Sequence, residues 1–292
     1  MAEFPLVLDT IGRLDGHAAE AEVRLNPFTY ASALAVLAQW ILANGLSGSY
    51  RFVDCAAEMR RYLDDVRFEE ALQNPEIVIS PDPMDWAVGL TRINRAQPTE
   101  KVTEKIVEIL ETFINPVPQD REALTVLIAE MIENVHKHAN AQVDGFAVAQ
   151  VYPERLKMGV ALVDAGIGVK ASFLSGDPSV PIAELRTDED FLREAVKLHS
   201  TSKRQGHSGY GLYLLSELIG RNRGTFLLAS GGCSLVGYRR QRKTVFDAYH
   251  HAPWRGTIVS VILDLNQRLP LSDIYREMPT LPDLETDDIF VA

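Results

Sequence analysis

The sequence predicts a mixed α/β protein with more than one domain. Its 292 residues are enough for about two domains, each with its own core. Hydrophobic residues make up 46% and charged residues 24%, which is ordinary for a soluble globular protein. Strand-like runs alternate with helical periodicity before residue 95, and several strands accompany a long helix after residue 120. Both parts therefore indicate helices packed on a sheet.

The first part contains four short runs that favour strands. They lie at residues 6–8, 22–25, 50–53 and 77–79. A helix is predicted at residues 31–43, where leucine and isoleucine recur at core spacing and an Asn-Gly pair supplies the stop. A second helix follows the third strand. This order predicts a small α/β domain at residues 1–95.

A polar segment and an amphipathic helix separate this region from the next. Pro98 and its polar neighbours favour a linker, and residues 99–115 carry apolar side chains on one helical face. We therefore predict a linker helix at residues 96–118, a second domain at 119–268 and an acidic C-terminal tail at 269–292.

The second domain is predicted to begin with a long helix near Asp120, and a further helix is predicted at residues 209–220. Its strands are predicted at residues 143–151, 157–163, 224–230, 233–240 and 257–265. Residues 169–205 are predicted to be a long irregular stretch. The basic run at residues 239–243 is predicted as a solvated hairpin turn, with docking of an acidic partner as the alternative.

The charge balance excludes some classes of function. A net charge of −11 argues against broad affinity for nucleic acid, which requires a basic footprint. The most apolar window, residues 30–46, contains Gln39 and Asn44 and is shorter than a membrane span. With no secretory signal at the N-terminus, we expect a cytoplasmic protein without a membrane anchor. Cys55 and Cys233 are expected to be reduced thiols.

Three polar residues are spaced four apart in the long helix of the second domain. Glu130, Asn134 and His138 would lie along one helical stripe of roughly 12 Å. A carboxylate, an amide oxygen and an imidazole in one row suit a divalent metal, a triphosphate and an attacking water. Glu133 is predicted to lie towards the rim of such a site.

Two glycine-containing blocks follow this helix in the chain. Asp164-Ala165-Gly166-Ile167-Gly168 comes directly after a predicted strand. The block at residues 206–212, Gly-His-Ser-Gly-Tyr-Gly-Leu, precedes a predicted helix. A Rossmann dinucleotide site is disfavoured, because the glycine spacing of the second block differs and the block follows a polar loop instead of a strand.

In this order, over residues 120–265, the three blocks resemble those of the GHKL superfamily, which includes DNA gyrase, histidine kinases, ATP-dependent chaperones and mismatch-repair ATPases. The resemblance implies a two-layer α/β sandwich of the Bergerat (histidine-kinase-like ATPase) type that binds ATP and Mg²⁺. It implies that Asn134 is the metal ligand and that Glu130 activates the attacking water. His138 would lie near the phosphates or support the helix.

The resemblance also assigns the nucleotide contacts. Asp164 would accept a hydrogen bond from the adenine amino group, and Thr257 would lie near the base or near Asp164. Residues 169–205 would form a lid over the nucleotide, with Thr201-Ser202-Lys203-Arg204 near its end. Contact of Lys203 with phosphate is left open against solvation. The backbone would approach the ligand at Gly166, Gly168, Gly206, Gly209, Gly211 and Leu212.

A second resemblance concerns residues 1–80. The sequence Asn-Pro-Phe-Thr-Tyr-Ala-Ser-Ala-Leu at residues 26–34, followed by Arg-Tyr-Leu at 61–63, resembles the STAS-type fold of anti-sigma-factor antagonists. That family implies a phosphorylated serine or threonine, for which Thr29 and Ser32 are candidates. An N-cap and a small packing residue are the preferred interpretation of the two.

Together these features predict a cytoplasmic, ATP-dependent conformational switch. It would bind Mg²⁺ and ATP or ADP, hydrolyse ATP slowly and act on a protein partner, and a homodimer is left open. One alternative is a serine/threonine protein kinase of the anti-sigma type, and another is a non-catalytic nucleotide-binding module. A histidine kinase is disfavoured, because the helix at residues 99–115 has no histidine.

Overall fold

The computed structural model describes nine parts of the chain. They are residues 21–23, 25, 31–74, 86–93, 99–114, 116–137, 144–202, 209–241 and 243–278. The strands predicted at residues 6–8 and 77–79 lie outside the described residues.

Seven strands in the described residues form two sheets. The strands are β1 Ala21–Val23, β2 Tyr50–Phe52, β3 Ala87–Ile93, β4 Gly145–Tyr152, β5 Lys157–Val163, β6 Thr225–Arg240 and β7 Lys243–Asp264. β1 and β2 pair in parallel. The other five form an antiparallel sheet in the order β3-β4-β5-β7-β6.

Nine α-helices accompany these strands in the described parts of the chain. They are α1 Ala31–Ala43, α2 Ala57–Asp65, α3 Phe68–Gln73, α4 Thr99–Phe113, α5 Pro118–Lys137, α6 Gly168–Ser175, α7 Asp188–Ala195, α8 Gly211–Asn222 and α9 Leu271–Glu277. The predicted fold class, a mixed α/β protein with helices packed on a sheet, is confirmed, and the large sheet is antiparallel. None of the helices within the described ranges has the length and apolar content needed to cross a membrane.

The large sheet is covered on both faces. Along β4, Ala147 and Ala149 belong to a core shared with α4, α5 and α8, whereas Phe146 and Val148 belong to a core shared with α1. Neighbouring residues of a strand point to opposite faces, so this alternation shows that each face has its own apolar cluster. The near-continuous burial of β4 follows from this double coverage.

The second face of the sheet is covered by α1, which packs on β4 and β5. Its residues from Ala31 to Ile41 are all buried, including the polar side chains of Ser32 and Gln39. β3, whose residues lie within the predicted first domain, pairs with β4 in the large sheet. α4, predicted as a linker helix, packs against α5 and β3 in the core. The division of the chain into domains stays a prediction.

The prediction of an irregular stretch at residues 169–205 is wrong. Two helices, α6 and α7, lie within it. They bring Phe173 and Phe191 into the main core, with ring centroids 6.0 Å apart. α7 begins with a capping box, in which Thr187 and Asp190 exchange hydrogen bonds between side chain and backbone. The prolines and glycine between the helices dominate the sequence pattern and hide these two short elements.

The two strands predicted at residues 224–230 and 233–240 are one long strand, β6. The register shifts at Gly231, whose φ of +61° is compatible with a bulge. Asp188 at the start of α7 accepts a hydrogen bond from the Gly232 N–H at 2.8 Å. A Cβ at position 231 would lie 2.4 Å from the Asp188 carboxylate. The bulge therefore makes room for the Asp188 carboxylate, and the hydrogen bond between Asp188 and Gly232 anchors α7 to the sheet.

The last helix, α9, lies inside the region predicted as an acidic tail and ties two longer helices together. Asp120, near the start of α5, is 1% exposed and accepts hydrogen bonds from the Ser272 N–H at 3.0 Å and the Arg268 Nε at 2.9 Å. At the other end, Arg221 of α8 donates two hydrogen bonds to Glu277. We call these two contacts the C-terminal brace.

Asp120→Ala should lower the free energy of unfolding by about 2–3 kcal/mol, because the Ser272 N–H and Arg268 both lose a buried, charged acceptor. Urea titration of the purified protein measures this loss. Asp273→Ala is the matched control, since Asp273 also binds Arg268, at 3.1 Å, but is more exposed. That change should cost under about 1 kcal/mol. Equal losses in the two variants would contradict the assignment.

Candidate functional site

A cavity of about 270 Å³ lies where α5, α6 and α8 meet the large sheet. Eight of the predicted site residues line it: Glu130, Asn134, Asp164, Gly168, Gly209, Gly211, Leu212 and Thr257. Gly166 lies outside the lining and contacts Asp164 instead. His138, Lys203 and Gly206 lie outside the described residues. The structure thus brings parts of all three sequence blocks to one cavity.

The long helix α5 presents one polar stripe to this cavity. Glu130 and Asn134 are half-buried and line it, while Ile132 is fully buried in the core behind them. The four-residue spacing places the two polar side chains one turn apart on the same face. Glu133, which the sequence placed towards the rim, also lines the cavity. The carboxylates of Glu130 and Glu133 and the side-chain amide of Asn134 therefore line the cavity together.

Asp164 follows the last residue of β5 and is held by β7. Its side chain is 5% exposed, and its Oδ1 accepts a hydrogen bond from the Gly166 N–H at 2.8 Å. Its own N–H donates to the Thr257 carbonyl at 2.9 Å. The indole N–H of Trp254 donates to the Asp164 carbonyl at 3.2 Å. The backbone around Asp164 is therefore fixed from two sides, which gives the carboxylate one direction.

Gly256 allows this close approach of β7. Its φ is +104°, and a Cβ at this position would lie 2.2 Å from the Asp164 carbonyl oxygen. No other residue type could keep the same backbone path without moving the turn at Asp164. The sequence offered a signal here, since Gly256 directly precedes the predicted site residue Thr257.

Burial dominates the acid–base behaviour of Asp164. Removal from water raises the pKa of this carboxyl from its usual range to about 7. Hydrogen bonds from Gly166 and from the backbone and hydroxyl of Thr257 act in the opposite direction, but they do not offset the burial. A buried carboxyl that titrates near neutral pH and lines a cavity is the kind of group found at functional sites.

This raised pKa predicts a pH-dependent cost to stability. Between pH 4 and 7 the folded protein retains a proton that the unfolded chain releases, so the contribution of Asp164 falls as the pH rises. Asp164→Asn removes this titration. The variant should match the unaltered protein near pH 4 and become progressively more stable than it towards pH 8. Urea titrations of both proteins across this range measure the difference. A difference that does not change with pH would contradict the assignment.

The first turn of α8 forms another wall of the cavity. Gly209 has a φ of +68°, and the Leu214 N–H donates to the Tyr210 carbonyl at 2.7 Å, which closes the first helical turn. Tyr210 is buried, and its ring lies 5.0 Å from the ring of His199. Burial and, to a smaller degree, the charge of Glu130 raise the pKa of Tyr210. α8 has no acidic residue of its own in its first turn, and the side chain of Tyr210 makes no capping hydrogen bond to it.

Hydroxyl groups form a further wall of the cavity, and sequence reasoning missed two of the four residues that supply them, Ser172 and Ser200. Ser172, Ser200, Thr201 and Ser202 are buried and line the cavity. The hydroxyls of Ser172 and Ser202 lie 2.7 Å apart, and Ser179 exchanges hydrogen bonds with the backbone of Thr201. Thr201 and Ser202 were noted in the sequence as part of a lid. Ser172 carried no signal, because its helix was predicted as irregular chain.

The donor set of the cavity fits Mg²⁺ in one specific way. No group of three or more histidine, cysteine, aspartate or glutamate side chains is arranged to hold a metal within the described ranges. Mg²⁺ usually takes one or two protein oxygens and completes its octahedron with water and phosphate. The Asn134 amide, beside Glu130, fits that pattern.

Both cysteines, Cys55 and Cys233, are free thiols.

Comparisons with known proteins give little further information. No family model and no curated protein matches the chain. Among solved structures, the ATPase region of Saccharomyces cerevisiae topoisomerase II is similar at 17% identity and a TM-score of 0.24. The match covers 44% of this chain and 32% of that chain, so it spans about a third of that chain's length.

Proposed function

We propose that the cavity binds ATP with Mg²⁺ and hydrolyses ATP slowly, and that the protein acts as a nucleotide-dependent switch on a protein partner. One observation carries this proposal. Three blocks that are far apart in the sequence line a single cavity, and each supplies a different kind of group. Asp164 is a buried carboxylate, Glu130 and Asn134 form a polar stripe, and residues 209–212 contain the start of helix α8.

The surroundings of Asp164 favour adenine. A fixed carboxylate accepts a hydrogen bond from the exocyclic amino group of adenine, and guanine has no donor at that position. The apolar side chains of Leu162, Leu228 and Val259 line the same cavity and suit a flat aromatic base. A buried acceptor rejects a ligand that leaves it unpaired, so this arrangement discriminates between the two bases.

The start of α8 suits a polyphosphate. N–H groups in the first turn of a helix, together with the positive end of its dipole, bind anions. Gly209 and Gly211, at this helix start, both line the cavity. Because the chain carries a net charge of −11, backbone groups and a cation must supply the attraction for phosphate.

The polar stripe of α5 suits hydrolysis. Asn134 would hold Mg²⁺, and the bound ion would offset the negative charge of the phosphates. Glu130 lies one turn earlier on the same face. From there it would accept the proton of the attacking water as general base. The hydroxyl groups of Ser172 and Ser202, which line another wall of the cavity, would also contact the ligand.

Isothermal titration calorimetry tests this function most directly. ATP and ADP should bind in the presence of Mg²⁺, and adenosine should bind more weakly because it lacks the phosphates. GTP at the same concentration should give no saturable heat. Phosphate release should then be measured with ATP at saturation. An absence of heat with ATP would contradict the whole proposal, whereas binding without phosphate release would favour a non-catalytic module.

A protein kinase of the anti-sigma type predicts a different product. Ser32, one of the two expected phosphorylation targets, is 7% exposed and therefore inaccessible in the folded state. The other, Thr29, lies outside the described residues. Incubation with labelled ATP and a co-purified partner separates the two activities, since a kinase labels protein and a hydrolase releases free phosphate. The same co-purification tests the protein partner and a homodimer.

A further inference from the structure

We propose that Gly211 is a positioning residue for Glu130: the missing side chain at position 211 lets the Glu130 carboxylate lie against the first turn of α8. This inference rests on the proposed function, in which Glu130 activates water. It assigns Gly211 a role different from the one implied by the glycine block, which is to bring backbone amides close to phosphate.

The space beside Gly211 is occupied by Glu130. A Cβ at position 211 would lie 2.9 Å from the Glu130 Oε2 and 3.7 Å from the Glu130 Cβ. Apart from the two chain neighbours and the backbone of α8, no other atom of the described residues lies within 4 Å of that point. The shorter distance is below any normal contact of a Cβ, so an alanine here would push the carboxylate away. Because Glu130 ends in a flexible side chain, the carboxylate would move and the backbone would stay.

Backbone conformation does not explain this glycine. Gly168 and Gly209, which also line the cavity, have φ values of +76° and +68° and therefore require glycine for their backbone. Gly211 is the first residue of α8 and is not among the residues with positive φ. A helical backbone conformation accepts any ordinary side chain, so the backbone at position 211 does not require glycine. The contact with Glu130 therefore explains why glycine occupies position 211.

The surroundings of Glu130 agree with a fixed carboxylate between two helices. Its charge contributes to the raised pKa of both Tyr210 and Tyr275, after burial as the main cause. Tyr210 directly precedes α8 and Tyr275 lies on α9, so Glu130 on α5 lies near both of the elements that pack against it. Its position therefore depends on how closely α8 approaches α5.

A double-mutant cycle tests the contact without any nucleotide. Gly211→Ala should change the melting temperature in opposite directions in two backgrounds. In the unaltered protein the new methyl group meets the carboxylate, so the melting temperature should fall or stay level. In Glu130→Ala the same change should raise it, because the clash is gone and alanine leaves the unfolded chain less conformational freedom than glycine does. Gly48→Ala is the control, since nothing lies within 4 Å of its added Cβ, and its effect should be equal in both backgrounds.

A kinetic comparison tests the positioning. Gly211→Ala should lower kcat for phosphate release by tenfold or more and leave KM for ATP and the affinity for ADP within twofold. Additive melting temperatures would overturn the inference. A non-additive cycle with unchanged kcat would also overturn it, because the contact would then be structural only. Weaker ADP binding by Gly211→Ala in both backgrounds would return Gly211 to a role in phosphate approach.

The two proposals fail in different ways. If the unaltered protein binds no ATP, the proposed function is wrong, and the positioning role falls with it even when the melting cycle shows the contact. If the unaltered protein binds and hydrolyses ATP while the cycle is additive, the proposed function stands and only the role of Gly211 is wrong.

Discussion

Glu130→Gln should reduce phosphate release by ~10²- to 10⁴-fold, the usual contribution of a general base. Glutamine keeps the size of the side chain but cannot accept the proton of the attacking water. The affinity for ATP should remain or increase slightly, because one negative charge leaves a cavity that receives phosphates. A coupled phosphate assay at saturating ATP, together with calorimetry of ATP binding, measures both quantities.

Glu133→Gln is the matched control for that experiment. Glu133 lines the same cavity from the same helix and carries the same charge, but it is displaced from the stripe shared by Glu130 and Asn134. Its replacement should change phosphate release by less than about tenfold on the same scale. If Glu130→Gln and Glu133→Gln lower phosphate release equally, the cavity needs negative charge in general and Glu130 is not the base. Unchanged turnover in Glu130→Gln rejects the assignment outright.

Asp164→Asn should weaken ATP binding by ~10- to 100-fold, since a hydrogen bond to a charged group contributes about 1.5–3 kcal/mol. The same change should make the folded protein more stable at pH 8. Asparagine avoids the desolvation that raises the pKa of Asp164 to about 7, a cost of up to about 4 kcal/mol at 1.36 kcal/mol per pKa unit. Calorimetry with ATP and urea titration at pH 8 test the two opposite effects.

Thr257→Val provides the comparison for Asp164. It removes a hydroxyl that donates to the carboxylate and leaves the backbone contact between the two residues in place. Its effect on ATP affinity should be about tenfold or less, as expected for one neutral hydrogen bond. A variant at position 164 that loses both affinity and stability would show that Asp164 serves the fold and not the ligand.

The positions of the cavity residues could be predicted where one local element determines them. The spacing of Glu130 and Asn134 fixes their common face as soon as the helix is recognised. Asp164 directly follows a strand whose bounds, residues 157–163, were predicted correctly, and it begins a glycine-containing turn. In both cases the direction of the side chain depends on short-range geometry, which a sequence pattern records.

Features that depend on contacts between distant segments could not be predicted. Apolar periodicity shows that α1 is buried, but it does not show that the helix covers the second face of the large sheet. Likewise, nothing near Ser172 indicates that its hydroxyl meets that of Ser202, because the contact joins residues 30 positions apart. The anchor between Asp188 and Gly232 is of the same kind.

The C-terminal brace has a mechanical consequence. It binds the beginning of α5 through Asp120 and the end of α8 through Arg221. The short helix α9 therefore connects the two helices that carry Glu130 and Gly211. Detachment of α9 would break both contacts of the C-terminal brace. A force that displaces α9 should therefore alter the spacing of α5 and α8, and by thermodynamic reciprocity a ligand that changes this spacing should alter how firmly α9 is held.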